Sequence, residues 1–120
     1  MSYSIGLIEL SSIAAGFEVC DAMLKESDVE LVLARTICSG KYMVMVKGDV
    51  AAVESAVTAG RTRNEFSVID TFVIPNVDDS LFPAIAGTLK IGTMEAIGIV
   101  ESFSVASLIE AADQMVKSAN

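Results

Sequence analysis

Ile5–Ser27 reads "IGLIELSSIAAGFEVCDAMLKES", and Ile97–Ala119 reads "IGIVESFSVASLIEAADQMVKSA". The second stretch is the first one returning at a constant offset, with Gly6/Gly98, Glu9/Glu101, Ser12/Ser104, Ala14/Ala106, Glu18/Glu110, Asp21/Asp113, Met23/Met115 and Lys25/Lys117 matched. This is an internal repeat. The run Tyr3 to Glu9 has β character, and Ser12 predicts an N-cap for a helix whose apolar residues Ile13, Phe17, Cys20 and Leu24 fall at helical spacing. Those four predict one buried stripe, repeated as Val105, Ile109, Ala112 and Val116. The repeat predicts one full unit followed by the first strand and helix of a second copy.

Between the two copies, Val29–Ile37 and Tyr42–Val46 are rich in β-branched and aliphatic residues, which predicts two strands joined by the tight loop "CSGK". Gly48 and Asp49 open a second helix with Val50, Val53 and Val57 on one face and Gly60 as its expected stop. Phe66–Ile74 predicts a fourth strand, closed by Pro75. Asp79 or Ser80 then caps a short helix ending near Gly87. The order β-α-β-β-α-β plus a short helix is a ferredoxin-like α+β arrangement, expected to carry its helices on one face of a mostly antiparallel sheet. The expected division is residues 1–90 as the complete unit and residues 91–120 as the partial second one.

Composition excludes several classes of function. Sixteen acidic against eight basic residues leave a net charge of −8, which repels nucleic acid and anionic membrane surfaces. The apolar run Ile91–Val100 contains Glu95 and falls short of the ~20 residues of a membrane-spanning helix. The opening "MSYSIGLIEL" lacks the charged start and cleavage site of a signal peptide, so a reducing cytoplasm is the expected setting. With no histidine, no GxGxxG and no P-loop, conventional catalysis has little support and the chain is expected not to be an enzyme. Asp78 and Asp79 are explained as helix-start residues, and Lys25 and Lys117 lie on the polar sides of their helices.

Two cysteines remain. Cys20 answers to Ala112 across the repeat, so packing explains it. Cys38 lies in the loop beside Ser39 and Gly40, and one thiolate cannot build a site alone. A chain with no histidine and no CxxC assembles a cluster-binding set mainly by symmetry, with copies of one residue converging on an axis.

"MEAIGIVESFSVASLIEAADQMVKSAN" from Met94 resembles the opening of bacterial microcompartment shell proteins. "ARTICSGKYMVMVKGDVAAVESAVTAG" from Ala34 resembles their pore loop, third strand and second helix, and "VIDTFVIP" from Val68 resembles their last strand. The resemblance covers nearly the whole chain in the family's order. Two units in one chain resemble the tandem-domain group, which forms trimers that imitate a hexamer. Within it, the similarity is greatest to the propanediol-utilisation type that carries an iron–sulfur cluster at its central pore. The resemblance implies a homo-oligomeric tile in the shell of a cytoplasmic microcompartment, with other shell proteins as partners and with no nucleic acid or membrane. It implies a pore lined by Ile37, Cys38, Ser39 and Gly40, with Cys38 of three chains supplying the thiolates for a [4Fe–4S] cluster that relays electrons. The family's edge lysine, in its "DAMVK" pattern, matches Lys25 in "DAMLK" and Lys117 in "DQMVK".

"IPNVDD" keeps only Pro75 of the family's Pro-Arg-Pro-His-like segment, so edge contacts there are expected to differ. The second unit lacks its remaining strands, which implies either a truncated tandem protein or a segment 91–120 that adds onto another subunit. A six-fold ring of the first unit is the alternative to the trimer. Two competing functions are a cytosolic regulatory domain binding a small metabolite at a subunit interface, and a redox enzyme with Cys38 as nucleophile.

Overall fold

Seven consecutive buried residues, Ser4–Leu10, form the strand β1 at the centre of the molecule. The computed structural model of the chain describes residues 3–119. After β1 come α1 (Ile13–Glu26), β2 (Glu30–Cys38), β3 (Lys41–Gly48), α2 (Val50–Arg63), β4 (Val68–Ile74), α3 (Leu81–Ala86) and α4 (Val105–Ser118). The sheet order is β2-β3-β1-β4 and every pairing is antiparallel, as the ferredoxin-like reading requires. β1 pairs β3 from Ser4↔Gly48 to Leu10↔Tyr42, and it pairs β4 from Ile5↔Ile74.

Helices cover both faces of this sheet, not one. Side chains alternate along a strand, and both alternations of β1 are apolar. Ile8 and Leu10 join Tyr42, Val44 and Val46 in a cluster with Val19 and Met23 of α1 and Val53 and Val57 of α2. Ile5 and Leu7 join Met43, Met45, Phe72 and Ile74 on the opposite face, closed by Val77, Leu81 and, from α4, Ala106 and Ile109. One-sided cover would leave that second set in water, at roughly 1.5–3 kcal/mol for each large side chain.

The buried stripe of α1 also differs from expectation. Ala15, Gly16, Val19 and Met23 face the core. Ile13, Phe17 and Leu24 are 40%, 65% and 39% exposed. Only Cys20, half-buried, packs on the core from the expected set. The helix is apolar on two sides, and spacing alone does not choose between them. α2 runs through its expected stop to Arg63, because Gly60 serves close packing: a Cβ there would lie 2.6 Å from Ile8 Cδ1 and 2.7 Å from Met23 Cγ. Val50 is exposed, whereas Val53 and Val57 are buried. β4 begins at Val68, after a 3-10 turn over Glu65–Ser67 that leaves Phe66 in solvent. Ser80 is the N-cap of α3, as expected, but its side chain makes no capping bond to the helix and is held instead by Asp78. Asp78 Oδ1 accepts from the Ser80 N–H and hydroxyl at 2.9 and 2.6 Å.

The strand expected at the start of the second copy is not formed. Residues 88–104 contain no helix or strand, and Ile97 and Ile99 are 74% and 79% exposed. In the first copy this sequence is held between β3 and β4, and among the described residues there is no second pair of strands to hold it. Its helix forms as expected, with Ser104 Oγ accepting from the Ser107 N–H at 3.1 Å, as Ser12 Oγ accepts from the Ala15 N–H at 3.1 Å.

Candidate functional site

Cys38 ends β2 and pairs with Lys41, which opens β3, so Ser39 and Gly40 are the whole turn of this hairpin. Gly40 takes φ 76, a left-handed angle that favours glycine, with open space around it. The register shifts between Thr36 and Cys38, the signature of a bulge that re-aims the side chains at the tip. Ile37 turns back onto the core, half-buried, while Cys38, Ser39 and Gly40 are exposed. The hairpin therefore brings three of the four expected pore residues to the surface and anchors them with the fourth.

Behind the tip, Lys41 Nζ reaches Glu9 Oε2 at 3.4 Å. Glu9 is fully buried, on the same face of β1 as Ile5 and Leu7. Its Oε1 accepts from the Ala106 N–H at 3.0 Å and from the Ser104 hydroxyl at 3.4 Å. Asp70 Oδ2 accepts from the hydroxyls of Ser104 and Ser107 at 2.8 and 3.2 Å. Two carboxylates thus hold the positive end of α4. At the other end, buried Asp113 accepts the Asp78 N–H through Oδ1 at 2.9 Å. Its Oδ2 faces Lys117 Nζ at 2.6 Å as an ion pair without an aligned hydrogen bond. Sequence reasoning missed this seat. The available signal was a carboxylate in an otherwise apolar strand, repeated as Glu9 and Glu101.

The two candidate edge lysines stand differently. Lys25 pairs with Asp21 at 2.9 Å, and both side chains are in solvent. Lys117, 35% exposed, pairs with the buried Asp113 at 2.6 Å. Burial, followed by the charge of Asp21, raises the Cys20 thiol above its ordinary pKa, which fits an inert packing cysteine. The Ser80 hydroxyl and N–H hold Asp78 below the usual carboxylate range. Among the described residues no three His, Cys, Asp or Glu side chains gather as a metal site, so Cys38 stands alone within one chain.

Residues 4–77 and 96–120 match the BMC domain, covering β1 through Val77 and then the second copy. The chain belongs to the BMC-domain family. It is 46% identical over its full length to the bacterial microcompartment shell protein PduT of Citrobacter freundii, of which it covers 65%. It is 40% identical over 74 residues to the shell protein PduA of the same organism, covering 60% of this chain and 80% of that one. A solved microcompartment protein from Desulfitobacterium hafniense DCB matches with TM-score 0.86 and 48% identity over all of this chain and 67% of its own. The chain thus spans about two thirds of the length of PduT and of the Desulfitobacterium hafniense protein. The BMC domain here is the α+β unit described above, and among the described residues no helix is long and apolar enough to cross a membrane.

Proposed function

We propose that this BMC-domain chain is a structural shell protein of a cytoplasmic bacterial microcompartment. It assembles with its own copies and with other shell proteins into a cyclic tile. Support comes from the family match and from relatives named as shell proteins. The tile is a trimer of tandem units, or a hexamer for the first unit alone, with the β2–β3 hairpin facing the axis. Its pore is lined by Cys38, Ser39 and Gly40, with Ile37 anchoring the hairpin behind them, and passes metabolites or electrons across the shell.

The observation that carries this reading is the exposed Cys38 thiol on a two-residue hairpin tip. One chain offers one thiolate, and three chains around an axis offer three, the donor set of a [4Fe–4S] cluster with one iron left for another ligand. Cys38 would hold the iron, and small Ser39 and Gly40 leave room for neighbouring copies beside it. When bound, such a cluster supplies one-electron transfer. Lys25 and Lys117 meet neighbouring tiles.

Anaerobic purification followed by iron and sulfide analysis tests the site. The expected protein is brown, with broad visible absorption that Cys38→Ser abolishes and Cys20→Ser keeps. Iron that is absent, or that survives Cys38→Ser, reduces Cys38 to plain pore lining and the function to passive passage of metabolites.

A further inference from the structure

Charge is spread unevenly along this chain. Residues 31–48, the β2–β3 hairpin beyond Glu30, hold three of the eight basic residues and none of the sixteen acidic ones. In a chain of net charge −8, the segment that carries Cys38 is positive. Its three cations are used differently. Lys47 lies at the far end of the hairpin, opposite Ile5, with its ammonium 3.6 Å from Glu30 and over the rings of Tyr3 and Phe82. Arg35 is exposed, three residues before the thiol. Lys41 stands directly across from Cys38.

Cross-strand partners project to one face of a sheet, with Cβ atoms about 4.5–5.5 Å apart. For Cys38 and Lys41 that face is the one α4 covers, because Met43, two residues along β3 from Lys41, packs with Ile5, Leu7 and Ile109. There the Lys41 ammonium meets Glu9 Oε2 at 3.4 Å, beyond the roughly 2.7–2.9 Å of a tight charge-assisted bond. The other carboxylate oxygen is taken up by α4, through the Ala106 N–H and the Ser104 hydroxyl. Glu9 is fully buried, whereas the Lys41 side chain is 31% exposed. The carboxylate is thus divided between two positive groups. It anchors Lys41 behind the tip without cancelling its charge.

We propose that Lys41, anchored by Glu9, is a positioning residue of the Cys38 site, setting one positive charge per chain beside the thiolate so that an anionic metal–thiolate group is favoured there. Three chains around an axis bring three such charges to three thiolates. Each thiolate adds a negative charge to the metal group it holds, and each electron taken up adds another, so cations beside the sulfurs raise the reduction potential. This deepens the proposed function and rests on it for the cluster. The charge beside the thiol does not depend on a metal.

The metal-free full chain tests that charge first. Cys38 is alkylated with anionic iodoacetate and with neutral iodoacetamide, and peptide mapping separates it from Cys20. Both reagents meet the same thiolate, so the ratio of their rates reports local charge rather than the shape of the tip. Lys41→Met should lower the iodoacetate-to-iodoacetamide ratio by about threefold, the effect of one unit charge roughly 6 Å away in water. Lys41→Arg should keep the parent ratio. Because Lys41→Met leaves the buried Glu9 carboxylate without its cation, Glu9→Gln combined with Lys41→Met is measured beside it and should shift the ratio in the same direction. In iron-loaded protein, titration with dithionite should place the midpoint of Lys41→Met below that of the parent. A ratio unchanged in both variants, an equal fall in Arg35→Gln, or a midpoint that does not move overturns the role of Lys41 and leaves the tile reading standing. A ratio that falls in a chain that binds no iron keeps the charge of Lys41 at the thiol and removes the cluster from the proposed function.

Discussion

Residues 5–27 and 97–119 start from one pattern and end in different states. Ile5–Glu9 lies in the central strand, bonded on both sides, while Ile97–Glu101 is exposed and irregular. The helices that follow form in both places, with the same serine cap at the same 3.1 Å. A helix closes its own hydrogen bonds within the segment and needs only a cap and an apolar face. A strand borrows every bond from neighbours, so identical β propensity yields a strand only where partners exist. The second lesson concerns the faces, since context decides which side of the repeated helix is core.

Exchanging residues at one repeat position should separate the two helix faces most strongly. Gly16 and Leu108 correspond. A Cβ at Gly16 would stand 2.2 Å from Tyr42 Cδ2, whereas Leu108 is 37% exposed on the free side of α4. Gly16→Leu should therefore destabilise the chain by about 3 kcal/mol, at the upper end of overpacking costs. Leu108→Ala should cost under ~1 kcal/mol, since little of its surface leaves water. Denaturant midpoints measure both. Equal losses would mean that the two helix faces are not used differently.

Where local chemistry decides, the chain is readable in advance. Both serine caps, the hairpin break at Ser39–Gly40, the Gly87 stop with its φ of 73 and the β-α-β-β-α-β order all follow from turn and cap residues. Where two partners compete for one segment, reading fails. Ile13, Phe17 and Leu24 have helical spacing as good as that of Ala15, Val19 and Met23, and packing against the sheet and α2, with Gly16 fitting close on the ring of Tyr42, selects the second set. The seat of α4 was hidden for the same reason, because Glu9, Asp70 and Asp113 are remote in sequence and meet only once the sheet has formed. At the candidate pore the hairpin and the exposure of Cys38 are local and legible. Convergence of several thiols is a property of an assembly, and one chain does not contain it.

A smaller difference is expected between the aspartates of the two copies. Asp113 is 1% exposed and accepts a backbone N–H, while Asp21 meets only the solvated Lys25. Asp113→Ala leaves the Asp78 N–H and the Lys117 ammonium without their partner, for a loss of about 1–3 kcal/mol and faster amide exchange along α4. Asp21→Ala in the single chain should cost about 0.3–0.5 kcal/mol, the range of an exposed helical ion pair. If the two substitutions cost the same, α4 is not held through Asp113.

The smallest effect on the single chain belongs to Lys25, whose side chain is 76% exposed and pairs only with Asp21. Lys25→Ala should move the denaturation midpoint by no more than about 0.5 kcal/mol. Assembly amplifies what the single chain does not feel, because a contact worth ~1 kcal/mol recurs at every edge of a lattice of tiles. The expected result is an unchanged ring mass by sedimentation together with loss of extended sheets in negative-stain images of concentrated protein. That outcome separates the edges of the ring from the contacts within it, with Lys25 at the former. Suppose instead that the ring mass falls together with the sheets. Lys25 then belongs with Asp21 inside the ring contact, as Lys117 belongs with Asp113 in the seat of α4, and the edge role implied by the "DAMLK" resemblance does not apply to this chain.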